Sequence, residues 1–449
     1  MIQQKSKPNK DKLKLSNINI SVKGLRPEQD KLMQTIATNA PTIFYYGFQL
    51  DHRNIRRMII DNTKFIPTCH ISYIDTQAIL HDIGFPADNA KLTIVIPANH
   101  GSLANIFMEF KIQKYEVEIV RGSNAKRINF WGICNVDNSL ISEYKSYDDT
   151  SYNVMNQFAQ DSGLGFASNV DSSNDKMKWL NTSMKGYEFL QDVTSKAWVG
   201  ESGFIWSFID LFYNLNYINV ENALTEDIKN IKWVNTTVYE NSKIGGQYSD
   251  LVTIPFLTNE PSMRGNNAYF TAENVLNQST DISLKKGYLR NVFFYDVDGN
   301  WSDKAGSLNI YGLDTITTRG TNNNAVYLKG EPGSTDFYSK NQTQHWLDRI
   351  DTANMHPDFL WAKMQNKENV TDLQKIPLQI FLPTPNFNIR RFEKVKLMFI
   401  NTNVGAVNKA TNTKLNGEWM VVGQTFEWTG SALGQYVTLV KRELTINDI

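Results

Sequence analysis

Phe204-Ile205-Trp206-Ser207-Phe208-Ile209-Asp210-Leu211-Phe212-Tyr213-Asn214-Leu215-Asn216-Tyr217-Ile218 is a dense aromatic run, and the reading of the whole chain is built outward from it. Phe204, Phe208, Leu211, Phe212 and Leu215 fit one face of a helix, whereas Phe204, Trp206 and Phe208 also alternate as in a strand. The continuation Asn214-Leu215-Asn216-Tyr217 favours the strand. So much apolar surface must be covered, inside the fold or against a neighbour.

Upstream lie two helical phrases. Val154, Met155, Phe158 and Ala159 recur at helical spacing, with Gly163 and Gly165 where a C-terminal cap belongs. After the polar interval 169–176, Phe189, Leu190, Val193 and Ala197 share one face of a second helix.

The bulk properties bound the possibilities. A chain of 449 residues suggests about three domains. With 41% hydrophobic, 12% aromatic and 20% charged residues it reads as globular. The 46 basic and 46 acidic residues cancel, which argues against a dedicated nucleic-acid binder, whose affinity rests on an excess of Lys and Arg. No stretch approaches the ~20 apolar residues that span a bilayer, and the N-terminus lacks the apolar core of a secretory signal. A protein made and used, or assembled, in the cytoplasm is expected. Cys69 and Cys134 are too few for a disulfide framework or a zinc site and read as small buried hydrophobes.

Residues 1–35, with Lys5, Lys7, Lys10, Lys12 and Lys14, read as a flexible solvated arm; contact with nucleic acid is the rival reading. From 42 to 136 the grammar is that of strands. Ile43, Tyr45 and Phe48 open it, Ile71 and Tyr73 alternate, and Leu92-Thr93-Ile94-Val95-Ile96 is stopped by Pro97. Residues 107–110, 115–120 and 128–133 follow as three further strands, which suggests a small antiparallel barrel or sandwich. Residues 74–83 could form a short helix or an irregular crossover. In 226–370, Trp233, Val238, Tyr239 and 251–257 suggest strands, and Phe293-Phe294-Tyr295 runs into the turn 296–300. The Asn-rich segment 317–340 reads as a long surface excursion. Strand grammar returns at 376, with 378–382, 395–400, 417–428 and 435–444, the last two joined across Gly430 and Gly434.

Signatures of chemistry fail one by one. His52, His70, His81, His100, His345 and His356 have no ligand spacing and read as surface or satisfied core residues. Asp296, Asp298 and Asn300 match the start of a calcium loop, but Trp301 and Ser307 stand where Gly and Glu are required. Gly163-Leu164-Gly165 lacks the third Gly of a dinucleotide fingerprint and follows a helix. There is no P-loop and no nucleophile elbow. No catalytic, metal or cofactor residue is assigned, and no interface residue can be named.

The order of these phrases resembles a family. Residues 158–169, Trp179-Leu180-Asn181, Tyr187-Glu188-Phe189-Leu190 and Phe208-Ile209-Asp210 leading into 213–217 resemble the centre of baseplate central-hub proteins of contractile-tailed bacteriophages. That broad family includes late control protein D and the N-terminal part of type VI secretion spikes. Residues 415–423 and 440–444 look like its last barrel strands. The resemblance runs from about residue 40 to the end and is weakest at 226–370. It implies a mainly β fold with an α+β centre, in which two small tube-protein-like antiparallel β-barrels flank a mixed helical and strand region. The division expected is an arm at 1–40, a first barrel at 41–140, a connector at 141–225, a mixed β domain at 226–372 and a second barrel at 373–449. It further implies a structural protein without cofactor: a homotrimer whose six barrels adapt a threefold spike below to a sixfold tail tube, or its initiator, above. Baseplate wedge proteins would be further partners, and DNA would pass only in transit through the channel. The implied location is the virion baseplate, assembled in the host cytoplasm without stable membrane insertion. The rivals are a carbohydrate-binding or host-recognition tail protein using Trp301 or Trp346, and a wall hydrolase.

Overall fold

The structure is a computed structural model that describes residues 40–45, 47–76, 80, 90–97, 106–122, 124–200, 203–225 and 417–441, most of 376–398, scattered positions in 354–373, and short strands between. The basic arm, the calcium-like turn at 296–300, the excursion at 317–340, and His81, His100, Trp301 and His345 lie outside the described residues.

Eight strands open the chain: β1 (Thr42–Tyr45), β2 (Phe48–Gln49), β3 (Ile55–Asn62), β4 (Thr68–Asp75), β5 (Lys91–Ile96), β6 (Ile106–Ile119), β7 (Lys126–Cys134) and β8 (Ser142–Asp149). The centre holds α1 (Ser151–Asp161), β9 (Gly165–Ser168), β10 (Met177–Lys185), α2 (Gly186–Lys196), β11 (Ile205–Ile209), β12 (Asn214–Asn219) and α3 (Val220–Thr225). Five short strands follow: β13 (Lys232–Trp233), β14 (Val252–Pro255), β15 (Ala272–Val275), β16 (Val292–Tyr295) and β17 (Trp346–Arg349). Four more close the fold: β18 (Pro377–Leu382), β19 (Lys394–Met398), β20 (Gly417–Trp428) and β21 (Leu433–Val440). The fold is mainly β, as expected.

The β blocks at the two ends of the chain are hydrogen-bonded into one 13-stranded sheet, in the order β15-β18-β21-β20-β3-β4-β7-β6-β5-β1-β2, with β19 and β14 branching from β20. The seam is the antiparallel pair β3 and β20, with Met58 opposite Trp428, Ile60 opposite Phe426 and Asn62 opposite Gln424. All six are buried, so the register puts the inward residues of both halves on one side. The strands expected at 107–110 and 115–120 are one strand, β6. Its pairing to β7 slips between Ile112 and Lys114, a bulge that interrupts the alternation and made one strand look like two.

The central unit is a second sheet in the order β11-β12-β9-β13, with β12 parallel to β9. The aromatic run is strand, turn and strand, as the alternation favoured. Its two faces meet different cores. Ile205, Ile209, Leu215 and Tyr217 join the core shared with the N-terminal strands. Phe204, Phe208, Ile218 and Val220 join Phe392, Met420, Val422 and Val440 from the C-terminal part. At ~2–3 kcal/mol for each fully buried large side chain, this wall is a main source of cohesion between the units.

Helix α1 ends as its sequence suggested. Gly163 has φ +68, its N–H bonds the Gln160 carbonyl at 3.2 Å, and the Leu164 N–H bonds the Ala159 carbonyl at 2.8 Å. That paired geometry relieves two end carbonyls with a residue that carries no left-handed penalty.

Candidate functional site

Two buried polar centres stand out. The first caps α1 from outside the helix. Asp175 is fully buried and accepts from Ser151 N (2.9 Å), Ser151 Oγ (2.5 Å), Ser173 Oγ (2.7 Å) and Trp198 N (2.8 Å). Ser151 commits its one proton to the carboxylate, so Tyr217 donates to Ser151 Oγ at 2.6 Å. A serine, an aspartate and a tyrosine in contact invite a catalytic reading. Burial removes it: Ser151 is 0% exposed and Asp175 already accepts four bonds. The arrangement satisfies the first N–H groups of α1.

The second is a joint where three parts of the chain meet at the β3–β4 turn. The Phe65 carbonyl accepts from Ile209 N of the central sheet at 2.7 Å. Arg391, from the segment before β19, donates to the carbonyls of Lys64 (2.7 Å), Thr63 (3.1 Å) and Val422 (2.8 Å). Its guanidinium lies over the Phe208 ring at 4.1 Å, and burial pushes its pKa down to about 9 against the pull of Asp61 and Asp210. Phe392 holds φ +62 and packs on Trp206 and Phe208, 5.1 and 5.5 Å between ring centres. Asp210 shapes the turn between β11 and β12 by accepting from Phe212 N and Asn214 N, both at 2.9 Å. Beside them Glu393 is buried, and its desolvated carboxyl is raised to about 7 despite the attraction of Arg390. Sequence reading passed over Arg391 and Glu393. Their only local signal is the charge cluster Arg390-Arg391-Phe392-Glu393-Lys394 just ahead of β19.

The histidines divide. His52 is exposed. His70 stacks on Trp131 at 4.9 Å, with Nε2 enclosed and unpartnered. His356 is buried, donates from Nε2 to the Lys196 carbonyl at 3.1 Å and leaves Nδ1 unpartnered. Surface or satisfied core residues were expected; at His70 and His356 packing encloses one nitrogen of each ring. Cys69 and Cys134 are buried thiols, and burial raises the Cys69 pKa. Among the described residues no group of three or more His, Cys, Asp or Glu could hold a metal ion, and no helix is long and apolar enough to cross a membrane.

Exposed apolar surface gathers in two places. Tyr115, Val117 and Ile119 (78% exposed) line the projecting tip of β6. Tyr144 (84%) and Leu180 share the outer face of the two-stranded ribbon β8–β10.

No family model and no curated protein matches the chain. Among solved structures its neighbours are tail and type VI secretion proteins. The chain is similar to the tail protein from Neisseria meningitidis MC58, at 9% identity and a TM-score of 0.47, over 90% of this chain and 96% of that one. It is similar to the prophage MuSo2 43 kDa tail protein from Shewanella oneidensis, at 8% identity and a TM-score of 0.48, over 90% and 97% of the two chains. A third similarity is to the E. coli c3393 protein, a component of the type VI secretion system, at 7% identity and a TM-score of 0.42, over 90% and 79%. At these values the likeness carries no argument.

Proposed function

We propose that this chain is a structural hub of a contractile phage tail baseplate, acting by self-association and by stacking rather than by catalysis. Three copies would form a ring with pseudo-sixfold character between a threefold spike and a sixfold tube, around a channel through which DNA leaves. Spike, tube and wedge proteins are the partners this reading requires, and the virion baseplate is the location. The division at residues 40, 140, 225 and 372 belongs to the same proposal.

The observation that carries the reading is the seam. Two β blocks from opposite ends of the chain, bridged by an Arg57–Glu427 contact across 370 positions, share one sheet around the central unit that bears the family resemblance. The apolar side chains left exposed on β6 and on the β8–β10 ribbon also suit a protein that works by contact. Light scattering on the purified chain tests this. A mass three times 51.4 kDa is expected, alone or with spike chains. A strict monomer at high concentration that captures neither spike nor tube chains would overturn it.

A further inference from the structure

The joint holds a cavity between the end of β3, the β11–β12 turn and the segment before β19. Its polar lining is Asn62, Asp210, Gln424, Arg390, Arg391 and Glu393. A volume of about 30 Å³ is open to the centres of water molecules, room for one or two of them. Lining residues carry polar atoms of both kinds with no hydrogen bond. Asn62 is 3% exposed, and its Oδ1 is buried without a donor. Arg390, whose guanidinium lies 5.8 Å from the centre of the Phe212 ring, has Nε and Nη1 buried without an acceptor. The other hydrogen bonds nearby are directed elsewhere. Arg391 gives Nε and both terminal nitrogens to backbone carbonyls, and Gln424, opposite Asn62 at the seam, donates to the Ile389 carbonyl.

We propose that the cavity is a hydration site, in which one or two ordered water molecules carry a hydrogen-bonded bridge from Arg390 Nε and Nη1 to Asn62 Oδ1. The acceptor and the donors belong to residues that line one space, yet they do not bond each other, so direct contact does not close the gap between them. Leaving both ends unpaired inside the fold would cost more than fixing a water molecule there. The charges on the walls also select the occupant. Two guanidinium groups, of Arg390 and Arg391, face two carboxyl groups, of Asp210 and Glu393. No excess of either sign draws an ion, and a neutral molecule that both donates and accepts suits the polar groups present.

The bridge joins distant parts of the chain. Asn62 is the last residue of β3 and forms the end pair of the seam with Gln424, whereas Arg390 belongs to the segment that leads into β19. Arg391 already fixes that segment to the Thr63 and Lys64 carbonyls just past β3. The joint is therefore wet beside Asn62 and dry on its aromatic side, where Phe208 packs on Arg391 and Phe392.

A crystal structure of the full chain, at a resolution that shows ordered solvent, tests this. An unbroken chain of one or two solvent peaks is expected, with its ends about 2.7–3.2 Å from Asn62 Oδ1 and from Arg390 Nε or Nη1. An empty cavity, an ion in it, or Arg390 bonded directly to Asn62 overturns the proposal. Magnetic relaxation dispersion of the water signal, which counts long-lived internal waters, gives a readout in solution. Asn62→Leu keeps the side-chain volume but removes the acceptor, and the count should fall by the number of waters seen in the crystal. Arg390→Met removes the donors, should give the same loss, and serves if Asn62→Leu does not fold. An unchanged count in a folded variant overturns the bridge. Neither measurement needs a partner, so the outcome is independent of whether the chain forms a tail hub.

Discussion

Asn366 closes a helix to which it does not belong. Its amide donates to the carbonyls of Thr194 (3.0 Å), Ser195 (3.2 Å) and Ala197 (2.9 Å) at the end of α2, and its Oδ1 accepts from Ile205 N at the start of β11 (3.1 Å). Asn366→Ala strands several buried backbone groups at once, so urea denaturation should show a loss of about 2–3 kcal/mol, above the ~1 kcal/mol of an ordinary hydrogen bond. His356 lies against the same helix end, next to Asp175 and Asp358, and burial is the main influence lowering its pKa below the ordinary 6.5. The unfolded chain therefore takes up the proton first, and this contribution to stability, full above pH 6.5, is lost as pH falls below it. Denaturation at pH 7.5 and 5.5 should show the decline, and His356→Gln should lessen it. Nothing near Asn366 or His356 in the sequence announces these roles. Their partners stand about 160 positions away, and a polar side chain carries no periodicity that would point to a distant carbonyl.

At the scale of elements, the aromatic run was legible as strand because its alternation continues through Leu215 and Tyr217. What the alternation could not say is that both faces are covered. Phe208 is 2% exposed and touches Arg391 as well as Phe392. Phe208→Ala is expected to cost about 3–5 kcal/mol, by calorimetry or urea, through the cavity and the lost cation contact together. The end of α1 was equally readable, since Gly163 solves a local problem. Strands β8 and β10 were not. On its open face Ser142–Asp149 sets Tyr144 among Ser142, Ser146 and Asp148, and its inward Tyr147 stacks on Phe189 of α2 at 5.7 Å, so its buried apolar partner is helical rather than part of a visible strand pattern.

For the whole molecule, two arginines cross the seam region with unequal weight. Arg57 bonds Glu427 at 2.7 Å, but its side chain is 52% exposed, and solvent screens such pairs to ~0–1 kcal/mol. Arg391 is buried with three carbonyls depending on it. Arg57→Ala should therefore leave the denaturation midpoint almost unmoved, while Arg391→Met should cost about 3–5 kcal/mol because the carbonyls lose their donors. Two β blocks of similar grammar could be read from the sequence. Their union could not, because alternation fixes which residues turn inward but not which strand lies alongside.

That union also sets an order of events during synthesis. The open side of β3 is completed only by residues 424–428, so while the ribosome is still making the C-terminal strands the first block presents an unsealed row of backbone donors and acceptors. Strand pairing over so long a loop is slow to form. A nascent chain that stalls before β20 thus carries a sticky margin able to join another stalled chain, and the same margin is covered once translation finishes. Completion of the polypeptide becomes its own protection against aggregation.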